Sequence, residues 1–496
     1  MRTYLRKKII KIISFYNFKN SCLDIKFLNK KKNYFDSSFN FIFVFLYLLS
    51  FNINIKISKK KLQRGILFTL DHQNKNGSYD EWYKNENSFC STAYTANCLS
   101  RLLIKQKNLD NSFLKKLLAV LSKARNFLFF KFSNTNLNQS LAKLAFFINF
   151  KKKINKSEFI KIKKIIHENK SFEYGGIDLG YLSVNIMLLA SILVKIPNKS
   201  ILNCFIQQIQ LFKSLTLNFN YFPNYIFSRS SRLLMISGFL YAFKNNIISK
   251  HEFKKIFYKY DSILNDFIKT KNLKYLSFFY FTDFENISTN SDNRIYSIKK
   301  TKVKFYKDFI LIRFSKKKFF AIYKKNPNVF VKLDKIEKYY FDRSILYKNS
   351  LLTSNTNISI FQGHNFIFFR NNFSRTFFKK DILKYSKYVS VINKYIKVGK
   401  FFKYFGQKFF IIRKIFKNIR SYKKIFYVDN KVFVDEKIIY ARNFSNIFKI
   451  SQINEQPYFS PTSFIKKKEI GKVKKIKSFT IKKLGFNVYC RKYECI

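Results

Sequence analysis

The chain has 496 residues, and its hydrophobic content of 47% is too high for a disordered protein and sufficient for two or three domains. Its formal net charge of +68 suits a nucleic-acid-binding protein. However, the lysines are spread along the whole chain among Phe, Ile, Asn and Tyr, and no zinc-finger pair or RNP-like strand is present. Nucleic acid is therefore disfavoured as a partner, and an anionic glycan would suit the charge equally well.

Residues 1–59 form a basic and apolar N-terminal segment. Its first 18 residues are basic and then apolar, but no small-residue cleavage site follows, so a cleavable leader is not predicted. The apolar run at 39–55 is shorter than the roughly 20 residues that span a bilayer. We expect either a buried helix or an interfacial segment in peripheral contact with a membrane. A cytoplasmic or membrane-associated location is favoured.

Apolar residues at three- and four-residue spacing predict an all-helical domain over residues 60–285. Pro197 and Pro223 lie in the breaks between helices, where proline is tolerated. Antiparallel helix pairs with polar loops at one end predict an α/α toroid. The predicted helices lie near residues 60–72, 88–106, 112–131, 137–150, 157–168, 178–195, 199–216, 229–246 and 251–269.

The pattern changes after Asn293 to short runs rich in Val, Ile, Phe and Tyr, which predict strands. Asp429 and Asn430 predict a hairpin turn. The polar stretch 286–293 is the expected linker, and residues 286–496 are predicted to form an antiparallel β-sandwich. The last thirty or so residues are lysine-rich and give a weaker strand signal.

Three polar, glycine-containing loops each lead into a predicted helix, which suggests one shared cavity. In the first loop, Gly77 permits a turn, and Trp82, the sole tryptophan, offers a stacking face to a sugar ring. Tyr79, Asp80 and Glu81 are predicted beside it at the cavity mouth. Alternatively, Asp80 or Glu81 favours the start of the next helix and Trp82 packs in the core.

The second and third loops supply further candidate ligand-binding residues. Glu173 and Tyr174 flank Gly175 and Gly176, and Asp178 either projects into the cavity or caps the helix that follows. The third loop contains Arg229 and Arg232, whose spacing on a helix would let them clamp a carboxylate or sulfate. Asn138 and Gln139 open another helix and are candidate amide donors, and Asn138 alternatively caps that helix without any ligand.

No two of the four histidines have metal-ligand spacing, and the six cysteines form no CxxC pair. The sequence therefore predicts neither a metal site nor a cofactor. His72 immediately precedes the first loop and is a candidate acid or base.

Five short motifs, in order along the chain, carry a family resemblance: QNKNGSYDEWY, STAYTA, NLNQSLAKLAFF, FEYGGIDLGYLSV and SRSSRLLMISGF. With the toroid-then-sandwich pattern, the chain resembles heparinase II/III-like proteins associated with bacterial surface polysaccharides. Terpenoid cyclases and prenyltransferase β-subunits carry similar QNxxGS repeats, but EYGGIDLGYLSV and the lack of an Asp-rich motif separate this chain from them.

The resemblance implies an acidic polysaccharide as substrate and β-elimination as the reaction. Elimination needs a group that neutralises the uronate carboxylate and a base that removes the adjacent proton. By this analogy, Arg229, Arg232 or Asn138 neutralises, and Tyr79, Tyr174 or His72 serves as base or acid. Two alternatives stay open: a hydrolase using two carboxylates among Glu81, Glu173 and Asp178, and a non-catalytic protein of surface-polysaccharide assembly.

Overall fold

The computed structural model describes a helical part and a strand part of this protein. The helical part comprises residues 41–51, 57–81, 85–129, 131, 136–150, 157, 160, 178–216, 219, 222 and 233–269. The strand part comprises residues 309–313, 318–323, 326–333, 336–340, 345–347, 350–362, 366–376, 415–428, 431–441, 449–450, 473–483 and 486–495.

Helices account for most of the described residues up to Lys269. They are α1 (Phe41–Leu49), α2 (Lys59–Asp71), α3 (Phe89–Ser100), a 3-10 helix (Arg101–Asn108), α4 (Asn111–Phe129), α5 (Leu137–Asn149), α6 (Leu179–Lys195), α7 (Lys199–Leu215), α8 (Ser237–Lys244) and α9 (Lys250–Lys269).

Side-chain caps explain where several of these helices begin. The hydroxyls of Ser58 and Ser88 accept hydrogen bonds from backbone N–H groups in the first turns of α2 and α3. The carboxylate of Asp178 and the amide oxygen of Asn198 do the same for α6 and α7. Each cap satisfies donors that a helix start leaves without an intrahelical partner.

Four helices form a row in which each packs against the next, in the order α3, α5, α6 and α8. Three further helices each pack against one member of the row: α4 against α3, α7 against α6, and α9 against α8. The core of the helical part is continuous, and α3, α5 and α6 bury nearly every residue between their ends.

The apolar run near the N-terminus forms the buried helix α1. Every side chain from Phe41 to Leu48 is buried, and α1 packs against α2 and α3. Gly65 of α2 makes the close approach possible, because a Cβ there would lie 2.3 Å from the ring of Phe43. Of the two expectations for this run, the structure shows the buried helix. Among the described residues, no helix is long and apolar enough to cross a membrane.

All described strands pair antiparallel, in two sheets. One sheet has the order β1 (Phe309–Arg313), β2 (Lys318–Tyr323), β3 (Asn326–Leu333) and β4 (Ile336–Tyr340). The other has the order β10-β5-β6-β7-β8-β9-β12-β11. Its strands are β5 (Ile345–Tyr347), β6 (Ser350–Gln362), β7 (Phe366–Thr376), β8 (Ile415–Val428), β9 (Lys431–Ala441), β10 (Lys449–Ile450), β11 (Val473–Lys483) and β12 (Phe486–Cys495).

The predicted order of helices followed by antiparallel strands is confirmed, and two details change. The helix predicted over 229–246 begins only at Ser237, because residues 233–236 are not helical. The lysine-rich C-terminus forms two paired strands, β11 and β12. The hairpin at Asp429-Asn430 is confirmed by the pairing of Val428 with Lys431. The boundary predicted at 286 lies outside the described residues.

Candidate functional site

The start of α5 lies beside the middle of α3. The hydroxyl of Tyr94, in α3, donates a 2.9 Å hydrogen bond to the amide oxygen of Asn138 at the start of α5. At the far ends of the two helices, the amide of Asn149 donates to Asn97 Oδ1 at 3.3 Å and to Ser100 Oγ at 3.2 Å. The later residues of α3 contact the later residue of α5, and the earlier residue of α3 contacts the earlier residue of α5. The two helices therefore run in the same direction.

The starts of α6 and α8 are paired in the same way. The backbone N–H of Met235 donates to Ser183 Oγ at 2.9 Å. Three residues further along each of the two segments, a Cβ on Gly238 would lie 2.7 Å from Ile186 Cγ2. These two contacts place α8 beside the first half of α6 and parallel to it.

The first loop is anchored against the middle of α4. The amide of Gln73 donates to the carbonyl oxygens of Gly77 at 3.0 Å and of Val120 in α4 at 2.9 Å. Gly77 has a φ of +84°, and a Cβ there would lie 2.2 Å from the carbonyl oxygen of Lys123. Glycine is thus required both for the left-handed backbone and for the close approach to α4.

The carboxylate of Asp80 organises the same loop. It accepts hydrogen bonds from the backbone N–H of Asn85 at 2.8 Å, from that of Asn87 at 2.9 Å, and from the amide of Asn74 at 3.1 Å. Burial raises the pKa of Asp80, these hydrogen bonds lower it in part, and the nearby Glu86 carboxylate raises it further. Asn85 and Asn87 have φ values of 62° and 53°, which asparagine tolerates better than most residues. Asp80 is therefore occupied in holding the loop.

Tyr79 does not lie at a cavity mouth, which corrects its predicted position. Its side chain is 0% exposed, and its hydroxyl has no hydrogen-bond partner among the described residues. Its backbone pairs with Ser88 and its N–H donates to Thr92 Oγ1 at 2.9 Å, which fixes the residue against α3. Burial, and secondarily Cys98 and Asp71, raise the pKa of the phenol, so Tyr79 stays protonated.

Glu81 and His72, on either side of the loop, are both accessible. Glu81 is half-buried, accepts a 3.2 Å hydrogen bond from Ser88 Oγ, and donates its backbone N–H to Glu86 Oε2 at 2.9 Å. His72 is exposed at the end of α2, with its ring against Phe68 and Nδ1 2.8 Å from the carbonyl oxygen of Phe68. His72 thus retains the accessibility that an acid or base needs.

Asn138 is the predicted site residue with the most suggestive geometry. It is 2% exposed at the start of α5, and Tyr94 fixes the orientation of its amide by donating to Oδ1. Its Nδ2 is buried and has no hydrogen-bond partner among the described residues. An oriented, unsatisfied N–H₂ group costs free energy unless a ligand accepts from it. Sequence reasoning missed Tyr94, although it lies within the STAYTA motif.

Asp178 acts as the N-terminal cap of α6, the second of its two predicted roles. It is 1% exposed and accepts a 3.0 Å hydrogen bond from the backbone N–H of Tyr181. Its carboxylate is thus used by the helix cap, and not by an open cavity. The other predicted site residues, Trp82, Glu173, Tyr174, Arg229 and Arg232, lie outside the described residues, so their roles stay predictions.

No known family model matches the chain, and no curated protein sequence matches it.

Proposed function

We propose that the helix row is an arc of an α/α toroid whose inner helices all begin at one end, and that the two sheets belong to a β-sandwich. The sequential packing of α3, α5, α6 and α8 supports this arrangement, as do the parallel directions within the pairs α3–α5 and α6–α8. We call the end at which these four helices begin the helix-start face.

We propose further that the helix-start face binds an acidic polysaccharide. The observation that carries this proposal is the buried, oriented amide of Asn138, whose N–H₂ group has no hydrogen-bond partner in the described part of the chain and suits a carboxylate oxygen. The start of α5 adds the positive end of a helix dipole at the same place. The net charge of +68 attracts a polyanion over a longer range.

The reaction that this arrangement favours is β-elimination at a uronate. A hydrogen bond from Asn138 to the uronate carboxylate would stabilise the negative charge that develops when the adjacent carbon loses its proton. The base is then Tyr174 or the exposed His72, because Tyr79 is buried and protonated. Arg229 and Arg232 remain the candidates for a second contact with the carboxylate.

A non-catalytic role in handling the glycan is the second candidate function. The observation that favours it is the use of Asp80 and Asp178 as hydrogen-bond acceptors for backbone N–H groups. Both carboxylates serve the fold, and the same fact weakens the alternative of a hydrolase that needs two accessible carboxyl groups.

The test is the ultraviolet absorbance of the unsaturated uronate that elimination produces, measured with purified protein and a panel of acidic polysaccharides. We expect absorbance to increase, and Asn138→Ala to lower kcat/KM by about 100-fold or more, the usual effect of losing a donor to developing charge. Asn185→Ala is the matched control, since Asn185 is another buried asparagine in the interior of α6, and its amide oxygen has no hydrogen-bond partner among the residues that the structure describes.

Three results decide between the candidates. Equal losses in Asn138→Ala and Asn185→Ala would show that the effect is structural. No absorbance increase, with a glycan-dependent change in Trp82 fluorescence, would favour binding or hydrolysis, which a reducing-end assay separates. Neither product nor fluorescence change with any acidic polysaccharide would refute the proposal.

A further inference from the structure

One face of the eight-stranded sheet collects cationic side chains from four neighbouring strands. Strand pairing places Arg370 (β7) opposite Tyr422 (β8), and Tyr422 opposite Lys437 (β9). One step along, Lys424 lies opposite Asp435, and Asp435 opposite Lys492 of β12. Directly paired residues project from the same side of a sheet, as do residues two apart in a strand. We call this side the basic sheet face: Arg370, Arg420, Tyr422, Lys424, Phe433, Asp435, Lys437 and Lys492.

Burial along β9 distinguishes the two sides of the sheet. Val434, Glu436, Ile438 and Tyr440 alternate on the side opposite the basic sheet face, and all four are buried. On the basic sheet face, Arg420, Lys424 and Lys437 are exposed, and the remaining residues of the face are partly exposed. Val488 and Cys490 also belong to this face and are buried, as short side chains between longer neighbours would be.

The charge on this face is strongly unbalanced. Five cations share it with the carboxylate of Asp435, and Glu494 pairs with Phe433 at the end of β12. With about 4.8 Å between neighbouring strands and about 3.3 Å per residue along a strand, the Cα atoms of these cations lie roughly 8–16 Å apart. A polyanion that lies across the strands could therefore contact several of them at once.

Two aromatic rings of the face, those of Tyr422 and Phe433, have cationic partners, and strand pairing puts the positions of Phe366, Phe368 and Phe426 on the same side. The guanidinium of Arg370 lies 5.8 Å from the ring centre of Tyr422, and the ammonium of Lys492 lies 5.7 Å from that of Phe433. Stacking of bases needs open ring faces, which are typical of sheets that bind single-stranded RNA. The exposed cations Arg420, Lys424 and Lys437, and not these two rings, are therefore the groups offered to a polymer with regularly spaced negative charges.

We infer that the basic sheet face is a second binding surface for acidic polysaccharide, separate from the helix-start face. It would hold the polymer by charge and so keep a long chain near the protein. The choice of a uronate polymer as the ligand rests on the proposed function. The surface itself follows from strand register and exposure alone.

The test measures the affinity of the full chain for fluorescently labelled polygalacturonate at several salt concentrations. The variant Arg420→Gln/Lys424→Gln/Lys437→Gln removes three exposed cations of the face. The matched control Lys195→Gln/Lys199→Gln/Lys254→Gln removes three exposed lysines from helices of the same protein. Circular dichroism confirms that both variants are folded.

We expect the sheet-face variant to bind polygalacturonate about 10-fold more weakly and with a smaller salt dependence, and the control to change affinity by less than about 3-fold. Equal losses would show diffuse attraction by net charge and overturn the inference. So would the absence of wild-type binding, or tighter binding of poly(U) RNA that the same three substitutions abolish.

The two proposals fail in distinguishable ways. If no polysaccharide yields an unsaturated product, the elimination reaction fails, but a selective loss of affinity in the sheet-face variant still supports the second surface. If that variant binds normally while Asn138→Ala loses activity, the second surface fails and the helix-start face stands.

Discussion

Replacing Gly77 by alanine is the most direct test of how the first loop sits on the helical core. The substitution adds one methyl group at a φ of +84°, with the carbonyl oxygen of Lys123 2.2 Å and the backbone N of Ala124 3.1 Å from the new atom. Both contacts are with the backbone of α4, whose neighbouring residues Leu121 and Ala124 are 0% exposed. Neither side can move without disturbing the core.

The expected cost follows from these two effects. A left-handed backbone costs alanine about 1–2 kcal/mol, and forcing one carbon into a packed core costs about 1–3 kcal/mol more. Alanine also lowers the conformational entropy of the unfolded chain relative to glycine, which offsets roughly 0.4–1 kcal/mol of this cost. We therefore expect Gly77→Ala to lower the free energy of unfolding by about 1–5 kcal/mol, which at a urea slope of about 2 kcal/mol per M corresponds to a decrease of roughly 0.5–2.5 M in the urea midpoint.

The assay is urea unfolding followed both by far-ultraviolet circular dichroism and by the fluorescence of Trp82, the sole tryptophan. Asn85→Gly is the control in the same loop, because Asn85 has a φ of 62° that glycine adopts more easily. Its midpoint should change by less than the equivalent of about 1 kcal/mol. A Gly77→Ala midpoint equal to that of the wild type would refute the close approach of the loop to α4.

Three further predictions follow from single contacts. Tyr79→Phe removes a buried hydroxyl without a described partner, so the free energy of unfolding measured in urea should stay constant or increase by up to about 1 kcal/mol. A variant that is stable but has lost the elimination activity would instead identify Tyr79 as the base. Ser249→Ala removes the hydroxyl that accepts a hydrogen bond from the backbone N–H of Glu252 at the start of α9, while the bond from the Ser249 backbone N–H to the Glu252 carboxylate is retained. The loss of this cap should cost about 1 kcal/mol, and an unchanged thermal midpoint would contradict it. Burial raises the pKa of Glu252, but hydrogen bonds from Lys213 and Ser249 and the charge of Lys213 outweigh it, so the pKa is lowered in the folded state. The stabilisation is thus present above the unfolded pKa of about 4.3 and lost as the pH falls through the folded pKa. Glu252→Gln should therefore be less stable than the wild type at neutral pH, by less than about 1 kcal/mol, and a difference that persists in strong acid would contradict the ion pair.

Local patterns were sufficient to predict most of the helices and several strands. The bounds of α2, α4, α5, α6 and α7 agree with the predicted ranges to within one or two residues, because their apolar spacing and capping side chains act within a few residues of each other. The start of α8 was predicted too early, since residues 233–236 fit a helical period yet are not helical. Likewise, the basic residues of β11 and β12 weakened the alternation of apolar and polar residues that predicts a strand. Both strands nevertheless form, because they pair with their neighbours in the sheet.

The sequence by itself determined the type and order of these elements and the polar loops that lead into α3, α6 and α8. The tertiary structure alone decided which polar groups of those loops are available to a ligand. Tyr79 is buried against α3, Asp80 is occupied by backbone donors, and Asn138 is oriented by Tyr94 from another helix. The physical reason is that helix and strand periods arise between near neighbours, whereas burial and hydrogen-bond partners depend on residues distant in the chain.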